Sequence, residues 1–198
     1  MQDGRKIPNH IENHFDNVII EIARWININI FRPLNATPNI ITTLSLFAGV
    51  ASIVAFYKAH YLTFAALSIL AYILDCADGN FARTYNMITR FGDIYDHVSD
   101  MLKLALLFIV IIISPIDKIT KITVLSILVI LNILMLQHLG CQELHVDSNG
   151  EALSLLKKFC KDTSQIKWTR YFGTGTMQVF IACFGLYMAA IRCHSAGK

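Results

Sequence analysis

Five apolar stretches, each near the length that crosses a lipid bilayer, restrict this chain to very few folds. They cover residues 40–57, 61–80, 92–114, 119–138 and 171–191. Charged residues make up only 16% of the chain and hydrophobic residues 55%, whereas a soluble domain carries about 25% charged residues. The sequence therefore predicts an all-α, polytopic transmembrane helical bundle with five clear spans. We expect a single membrane domain over residues 1–198, with the bundle itself in residues 38–193.

Two other segments have the pattern of amphipathic helices. In residues 10–30 the apolar side chains recur at helical spacing, at Ile11, Phe15, Val18, Ile22 and Ile26, and charged side chains lie elsewhere. A helix of this kind lies along the membrane surface, so we expect residues 1–37 to form an N-terminal interfacial segment. Residues 150–167 show a similar pattern, with four lysines opposite an apolar face.

A group of acidic residues interrupts the apolar chain between the second and third spans. The stretch DCADGNFARTYNMITRFGDIYDHVSD contains four aspartates in a fixed register, Asp75, Asp78, Asp96 and Asp100. On a helix the first two lie on one face, and so do the last two together with Gly92. Acidic residues at membrane depth are costly and usually have a function. We expect the two faces to meet across an antiparallel pair of helices.

Four facing carboxylates repel one another unless cations neutralise them. Mg²⁺ and Mn²⁺ are the natural partners of an all-oxygen cluster, and four carboxylates suffice for two such ions, which can clamp both ends of a phosphoryl displacement. Arg83 is suited to binding phosphate oxygens. Gly79 and Ala82 leave room for a nucleotide against the backbone. These residues indicate metal-assisted chemistry on a phosphate-bearing substrate.

The pattern D-x2-D-G-x2-A-R-x8-G-x3-D-x3-D resembles the signature of the CDP-alcohol phosphotransferases, or class-I CDP-alcohol phosphatidyltransferases, integral membrane enzymes of phospholipid synthesis. Every fixed position is met. The entry to the first span, Pro38-Asn39-x2-Thr42, is also similar to the usual opening of the family. Members generally have six spans. Either residues 150–167 pack more deeply than their lysines suggest, or the N-terminal helix takes part, or this bundle is reduced.

The resemblance implies a role for each residue of the motif. Two Mg²⁺ or Mn²⁺ ions would be held by Asp75, Asp78, Asp96 and Asp100, and the CDP group would be contacted by Asp78, Gly79, Ala82 and Arg83. Asp100 would act as the general base on an acceptor hydroxyl, which attacks the β-phosphorus of a CDP-linked donor and expels CMP. The implied partners are the CDP-linked donor, an acceptor alcohol or lipid, membrane lipids and a second copy of the chain in a homodimer.

The motif leaves the donor and the acceptor open. One branch of the family uses CDP-diacylglycerol with a soluble alcohol, and the other uses CDP-choline or CDP-ethanolamine with diacylglycerol. The short chain favours the first branch, which we prefer, and the pair Asp96-His97 is typical of the second. Outside the enzymes, a membrane cation transporter is the alternative, because intramembrane aspartates also bind cations in transit.

Three basic residues are candidates for binding an acceptor. Arg90 and Arg170 suit an anionic head group, but the bias of basic residues towards the cytoplasm explains them equally well. Lys103 follows Asp100 by three residues. It either binds an acceptor phosphate or pairs with that aspartate.

Charge also orients the predicted bundle. With a cytoplasmic N-terminus, eleven basic residues fall on the cytoplasmic side and five on the other. The positive-inside rule then places the acidic motif of this multi-pass protein at the cytoplasmic face. The net charge of +3 is too small to indicate a nucleic-acid partner. The five cysteines are odd in number and form no C-x-x-C pair, so we expect small, mostly buried side chains without a disulfide framework or a zinc site.

Overall fold

A computed structural model describes residues 3–146 and 154–196, and the regular structure in these ranges is entirely helical. The main helices are α1 (His14–Ile26), α2 (Pro38–Tyr57), α3 (Tyr61–Thr84), α4 (Arg90–Ile113), α5 (Lys118–Val146), the single turn α6 (Ile166–Thr169) and α7 (Thr174–Ala196). A π-helical turn, Asn27–Phe31, extends α1, and three short 3₁₀ turns lie between α5 and α7. The predicted all-α, polytopic fold class is confirmed.

Local signals in the sequence set the ends of α2, α3 and α4. Pro38 occupies the first turn of α2, where its missing N–H leaves no hydrogen bond unmade. The α2–α3 corner is closed by Ala59 in the left-handed region, with φ of 56°, and by the His60 N–H, which donates to the Ala55 carbonyl over 2.8 Å. At the start of α4, the Thr89 hydroxyl accepts from the Gly92 N–H at 3.0 Å, an N-cap contact.

Four segments are long and apolar enough to cross a membrane, judged by length and composition. They are Pro38–Tyr57, Tyr61–Thr84, Lys118–Val146 and Thr163–His194. The third predicted span is also a helix, α4, of 24 residues. It falls outside this set because Asp96, Asp100 and Lys103 lie within its apolar part. These three charged residues of α4 therefore account for the difference between the four segments found here and the five spans predicted from the sequence.

An aromatic core closes the end of the bundle remote from the motif. Phe56 of α2 packs edge-on against Phe64 of α3, with ring centroids 4.9 Å apart, and against Tyr61 at 5.3 Å. Phe184 of α7 and Ile111 of α4 complete this cluster. Because α2, α3, α4, α5 and α7 all contribute to it, the cluster joins the long helices into one bundle.

The N-terminal helix packs against α3 and α7 through the face opposite its predicted apolar face. The side chain of Asp16 and that of Ala23 are buried, whereas Phe15, Val18 and Trp25 are exposed. An exposed apolar face suits a helix that rests on a membrane surface. The buried polar face was not anticipated, and it reaches the region of the acidic motif.

The second predicted amphipathic segment, residues 150–167, lies partly outside the described residues, since residues 147–153 are not described. Its later part forms the 3₁₀ turns Ser154–Phe159 and Thr163–Gln165 and enters α6. Leu155 and Phe159 are exposed there.

The expectation of unpaired cysteines is wrong for one pair. Cys141, in the last turns of α5, forms a disulfide with Cys160, and their Cα atoms are 5.0 Å apart. The chain returns to α5 after the turn Ser154–Phe159, a reversal that the spacing of the cysteines does not reveal. The expected burial is also wrong for Cys183 and Cys193, which are free and exposed.

Candidate active site

The acidic motif lies where α3 ends and α4 begins. Three carboxylates converge across this antiparallel pair, those of Asp75, Asp96 and Asp100, with one oxygen of each within 4.8 Å of the others. The predicted register explains the convergence, because each helix presents its aspartates on the face turned to the other helix. Asp78 does not belong to this group of three.

Asp78 is held from the side by α2. It is buried, with 3% exposure, and its Oδ2 accepts a hydrogen bond from the Thr42 hydroxyl at 2.6 Å. A buried carboxylate requires such partners, since an unpaired one costs several kcal/mol. Thr42 is part of the Pro38-Asn39-x2-Thr42 opening, but its contact with Asp78 was not predicted.

Lys103 sits beneath the group of three carboxylates and pairs with two of them. Its ammonium lies 2.8 Å from Asp75 Oδ1 and 2.8 Å from Asp100 Oδ1, and it donates to Ser45 Oγ at 3.0 Å. The pairing with Asp100 is one of the two predicted alternatives. The contact with Asp75, 28 positions away in sequence, was not predicted.

The guanidinium of Arg83 is folded over Gly79, four residues earlier on α3. A Cβ built at Gly79 would stand 3.2 Å from one terminal nitrogen of Arg83 and 3.3 Å from the other. The absence of a side chain at Gly79 therefore leaves room for the guanidinium. Arg83 Nε donates to the carbonyl of Gly4 at 2.7 Å, so the N-terminal segment lies against the residue expected to bind phosphate.

Gly4 fits tightly against the end of α3. Its φ of +67° is in the left-handed region, and a Cβ there would meet Thr84 Oγ1 at 2.3 Å and Asn80 Nδ2 at 2.6 Å. Asn80 also donates to the carbonyl of Asp3 at 3.0 Å. The chain before α1 is thus built onto the motif, a placement that no pattern in the sequence indicated.

A cavity of about 580 Å³ opens onto these residues. The motif contributes one wall, with Asp75, Asp78, Gly79, Ala82, Arg83, Asp96 and Asp100. The other wall comes from the N-terminal segment and α5, with Lys6, Glu12, Asp16, Gln142 and Glu143. Among the described residues, the three acceptor candidates, Arg90, Lys103 and Arg170, do not line the cavity.

The second wall is a buried polar network. Glu12 accepts a hydrogen bond from Gln142 Nε2 at 3.0 Å, and Gln142 also contacts His138 at 3.0 Å. Lys6 forms an ion pair with Glu143. Arg170 is used structurally, since its guanidinium donates to the carbonyl of His10. These contacts hold the N-terminal segment to the end of α5 and to the short turn that precedes α7.

Asp16 belongs to the same wall and has an altered acidity. Burial raises its pKa to about 7, although the hydrogen bond donated by the Tyr72 hydroxyl acts in the opposite direction. Tyr72 lies on α3, one turn before Asp75. Asp16 therefore joins α1 to the helix that carries the first two aspartates of the motif.

The carboxylate group fits a hard divalent cation. Oxygen ligands in a cluster are what Mg²⁺ and Mn²⁺ prefer, and three carboxylates are within reach of one ion. Asp96 Oδ1 is buried and has no hydrogen-bond partner among the described residues. A buried, unpaired carboxylate oxygen calls for a ligand that the protein itself does not supply.

Comparison with known proteins identifies the family of this chain. The sequence profile of the CDP-alcohol phosphatidyltransferase family matches residues 35–191. The CDP-diacylglycerol–glycerol-3-phosphate 3-phosphatidyltransferase of Rickettsia felis is 35% identical over 77 residues, 37% of this chain and 42% of that protein. The CDP-diacylglycerol–serine O-phosphatidyltransferase of Helicobacter pylori is 38% identical over 76 residues, 37% of this chain and 31% of that protein. No solved structure matches.

These relatives are similar to the chain over a limited length. An uncharacterized protein of Aquifex aeolicus is 35% identical over 82 residues, 41% of each chain. The matched part thus spans less than half the length of each of these relatives. The family profile, by contrast, covers most of the present chain. The chain belongs to the CDP-alcohol phosphatidyltransferase family.

Proposed function

We propose that this protein transfers a phosphatidyl group from CDP-diacylglycerol to the hydroxyl of a small alcohol and releases CMP. The observation that carries the proposal is the meeting of three carboxylates in one cavity with Gly79, Ala82 and Arg83. The names of the Rickettsia felis and Helicobacter pylori relatives both specify CDP-diacylglycerol as donor, which supports this donor over CDP-choline or CDP-ethanolamine.

Asp100 is the aspartate best placed to accept a proton from the acceptor. Its side chain is 48% exposed, compared with 19% for that of Asp75. The acceptor oxygen forms a bond to the β-phosphorus as its proton passes to Asp100. The bond from the β-phosphorus to the bridging oxygen breaks, and its electron pair leaves with CMP.

The other residues of the motif bind and orient the donor. Arg83 holds phosphate oxygens, and the missing side chain at Gly79 lets its guanidinium lie flat against α3. Thr42 fixes the orientation of Asp78. Two divalent ions, held by Asp75, Asp78, Asp96 and Asp100, would neutralise the negative charge that develops on the phosphates.

The charge of the cavity favours an acceptor that carries an amine. The second wall supplies the carboxylates of Glu12 and Glu143, and its one lysine among the described residues, Lys6, is paired with Glu143. Phosphate groups are bound by clusters of arginine and lysine, which this wall lacks among its described residues. We therefore rank serine above glycerol 3-phosphate as an acceptor.

The decisive experiment is an assay of the purified protein in lipid nanodiscs. CDP-diacylglycerol is supplied with serine, glycerol 3-phosphate or inositol, and CDP-choline with diacylglycerol forms a separate arm. We expect CMP release and a new lipid with serine, and loss of both in EDTA. Turnover only in the CDP-choline arm would assign the protein to the other branch. Divalent binding without any binding of CDP would instead indicate a cation transporter.

We also propose that the site faces the cytoplasm, because basic residues are concentrated at the end of the bundle that carries the motif. An epitope inserted into the loop between α3 and α4 tests this orientation. In intact cells it should react with antibody only after the membrane is made permeable. Reaction in untreated cells would reverse the orientation without affecting the proposed chemistry.

A further inference from the structure

Lys103 brings a positive charge into the carboxylate group from within the bundle. It follows Asp100 by three residues on α4, and its ammonium lies 2.8 Å from both Asp75 Oδ1 and Asp100 Oδ1. Its third contact is Ser45 Oγ on α2, at 3.0 Å. One cation thus connects α2, α3 and α4 at the place where the proposed divalent ions would bind.

The neighbouring helix has a gap for this side chain. Gly49 lies one turn beyond Ser45 on α2, and a Cβ built there would stand 2.7 Å from Lys103 Cδ. The lysine stem therefore occupies the space that any larger residue at position 49 would fill. With 17% of its side chain exposed, Lys103 is enclosed by protein and not free to reach into the cavity.

The ammonium has no donor left for a substrate. A lysine ammonium has three N–H donors, and three acceptors surround this one, on Asp75, Asp100 and Ser45. An acceptor phosphate would have to displace at least one of them. This geometry argues against the predicted alternative in which Lys103 binds the acceptor.

We infer that Lys103 is a positioning residue that acts as a built-in counter-cation, holding Asp75 and Asp100 in place and competing with the divalent ions for them. Facing carboxylates at this depth need a positive partner to remain charged. The same ammonium repels an arriving cation and occupies carboxylate oxygens that the cation needs. Asp96 Oδ1, which has no partner among the described residues, remains available for the first contact.

The inference rests on the metal dependence in the proposed function, and on no particular donor or acceptor. It predicts an effect on metal binding opposite to the one expected if Lys103 were purely structural. Removal of a structural residue loosens the site and weakens metal binding. Removal of a competing cation strengthens metal binding, although it destabilises the metal-free protein.

The test measures Mn²⁺ binding to the substrate-free protein in nanodiscs by electron paramagnetic resonance. For Lys103→Met we expect the apparent Kd for Mn²⁺ to fall about tenfold, within the usual range for coupling between two sites. We also expect a lower melting temperature in EDTA and a larger rise on adding Mn²⁺. Lys121→Met is the matched control, because Lys121 donates to the carbonyl of Ile112 and not to a carboxylate. Its Kd should equal that of the wild type.

Two further variants distinguish an effect on metal binding from misfolding of Lys103→Met. Lys103→Gln keeps a hydrogen-bonding side chain without the charge and should also bind Mn²⁺ more tightly. Gly49→Ala keeps the charge but displaces the lysine stem, and should shift the Kd in the same direction by a smaller factor. Weaker or unchanged Mn²⁺ binding in these variants overturns the inference. So does a raised KM for the acceptor with unchanged Mn²⁺ binding.

The proposed function and this inference can fail separately. If the wild type transfers the phosphatidyl group without binding Mn²⁺ or Mg²⁺, the inference falls and the transfer activity stands. If Lys103→Met binds Mn²⁺ more tightly but no arm of the assay yields CMP, the inference stands and the assignment of the reaction falls.

Discussion

The two helices that supply the carboxylates are supported very differently. The motif end of α3 packs against α1, the π-helical turn that follows it and the start of α2, and Asp78, Asn80 and Phe81 are all buried there. The first half of α4 packs mainly on α2, and its outer face, which includes Phe91, Val98 and Met101, is exposed.

This difference divides the site into a fixed half and an adjustable half. On the α3 side, Asp78 is held by Thr42 and Tyr72 contacts Asp16. On the α4 side, Asp100 is tied to the rest by the ammonium of Lys103, and Asp96 Oδ1 has no partner in the described structure. In the structure the ammonium of Lys103 therefore sets the position of the Asp100 carboxylate, and the proposed divalent ions would add a partner for Asp96.

The largest expected effect comes from the adjustable half. Asp100→Asn removes the proposed base but preserves the size of the side chain, so kcat should fall by about 10²–10⁴ with the fold retained. Asp93→Asn is the matched control, since Asp93 lies on the same helix, is 43% exposed and is a spacer in the motif. CMP release at saturating substrate is the measurement. Full rate in Asp100→Asn would show that the base has been misassigned.

The next effect concerns an anchor of the fixed half and depends on pH. Because burial raises the pKa of Asp16 to about 7 from its ordinary value of 3.8, its contribution to stability is complete below pH 4 and is lost as the pH rises through 7. Asp16→Asn does not titrate and retains an acceptor for Tyr72. Its stability relative to the wild type should therefore rise between pH 4 and pH 8, by about 4 kcal/mol at most.

Thermal melting in EDTA across this pH range measures the difference. Above pH 8 the gap between Asp16→Asn and the wild type should remain constant, because Asp16 is then ionised in both the folded and the unfolded protein. A gap that is the same at pH 5 and pH 8 would mean that Asp16 is not the titrating group.

The spacing of residues within each helix predicted much of this site. It could not predict contacts between residues that are distant in sequence. The intervals of three and four residues placed Asp75, Asp96 and Asp100 on facing helix surfaces, because helical periodicity alone decides the face of a side chain. The contact of Thr42 with Asp78 joins residues 36 positions apart, and that of Arg83 with Gly4 joins residues 79 apart. Such contacts follow from how helices pack against one another. The same limit applies to the disulfide between Cys141 and Cys160.

The N-terminal helix teaches a related lesson about amphipathic patterns. Its periodicity indicated a helix with one apolar face, and α1 has such a face, exposed at Phe15 and Val18. The pattern could not show that the opposite face is also buried at Asp16. A polar side chain is buried only where it has hydrogen-bond partners. The partners of Asp16 lie on α3 and α7.

A smaller effect tests the anchor between α2 and the fixed half. Thr42→Val removes the donor to Asp78 and leaves a buried carboxylate oxygen without that partner, which should cost about 1–3 kcal/mol of unfolding free energy. Thr43→Val is the control on the next residue, whose hydroxyl contacts the Asn39 carbonyl and the Tyr95 hydroxyl. Denaturant titration in detergent compares the two variants. Equal losses would show that Asp78 does not depend on Thr42.

Hydrogen exchange measures the difference between the two halves directly. Without metal, amides in the first half of α4 should exchange faster than those at the motif end of α3, because fewer neighbours oppose their opening. Mn²⁺ should slow exchange in α4 about tenfold, equivalent to 1.4 kcal/mol, and change α3 little, since a ligand stabilises most the element that it immobilises. In Lys103→Met the metal-free α4 should exchange faster still, because its connection to Asp75 is gone. If Mn²⁺ protected α3 and α4 equally, the carboxylates of both helices would be adjustable, and the division into a fixed and an adjustable half would be wrong.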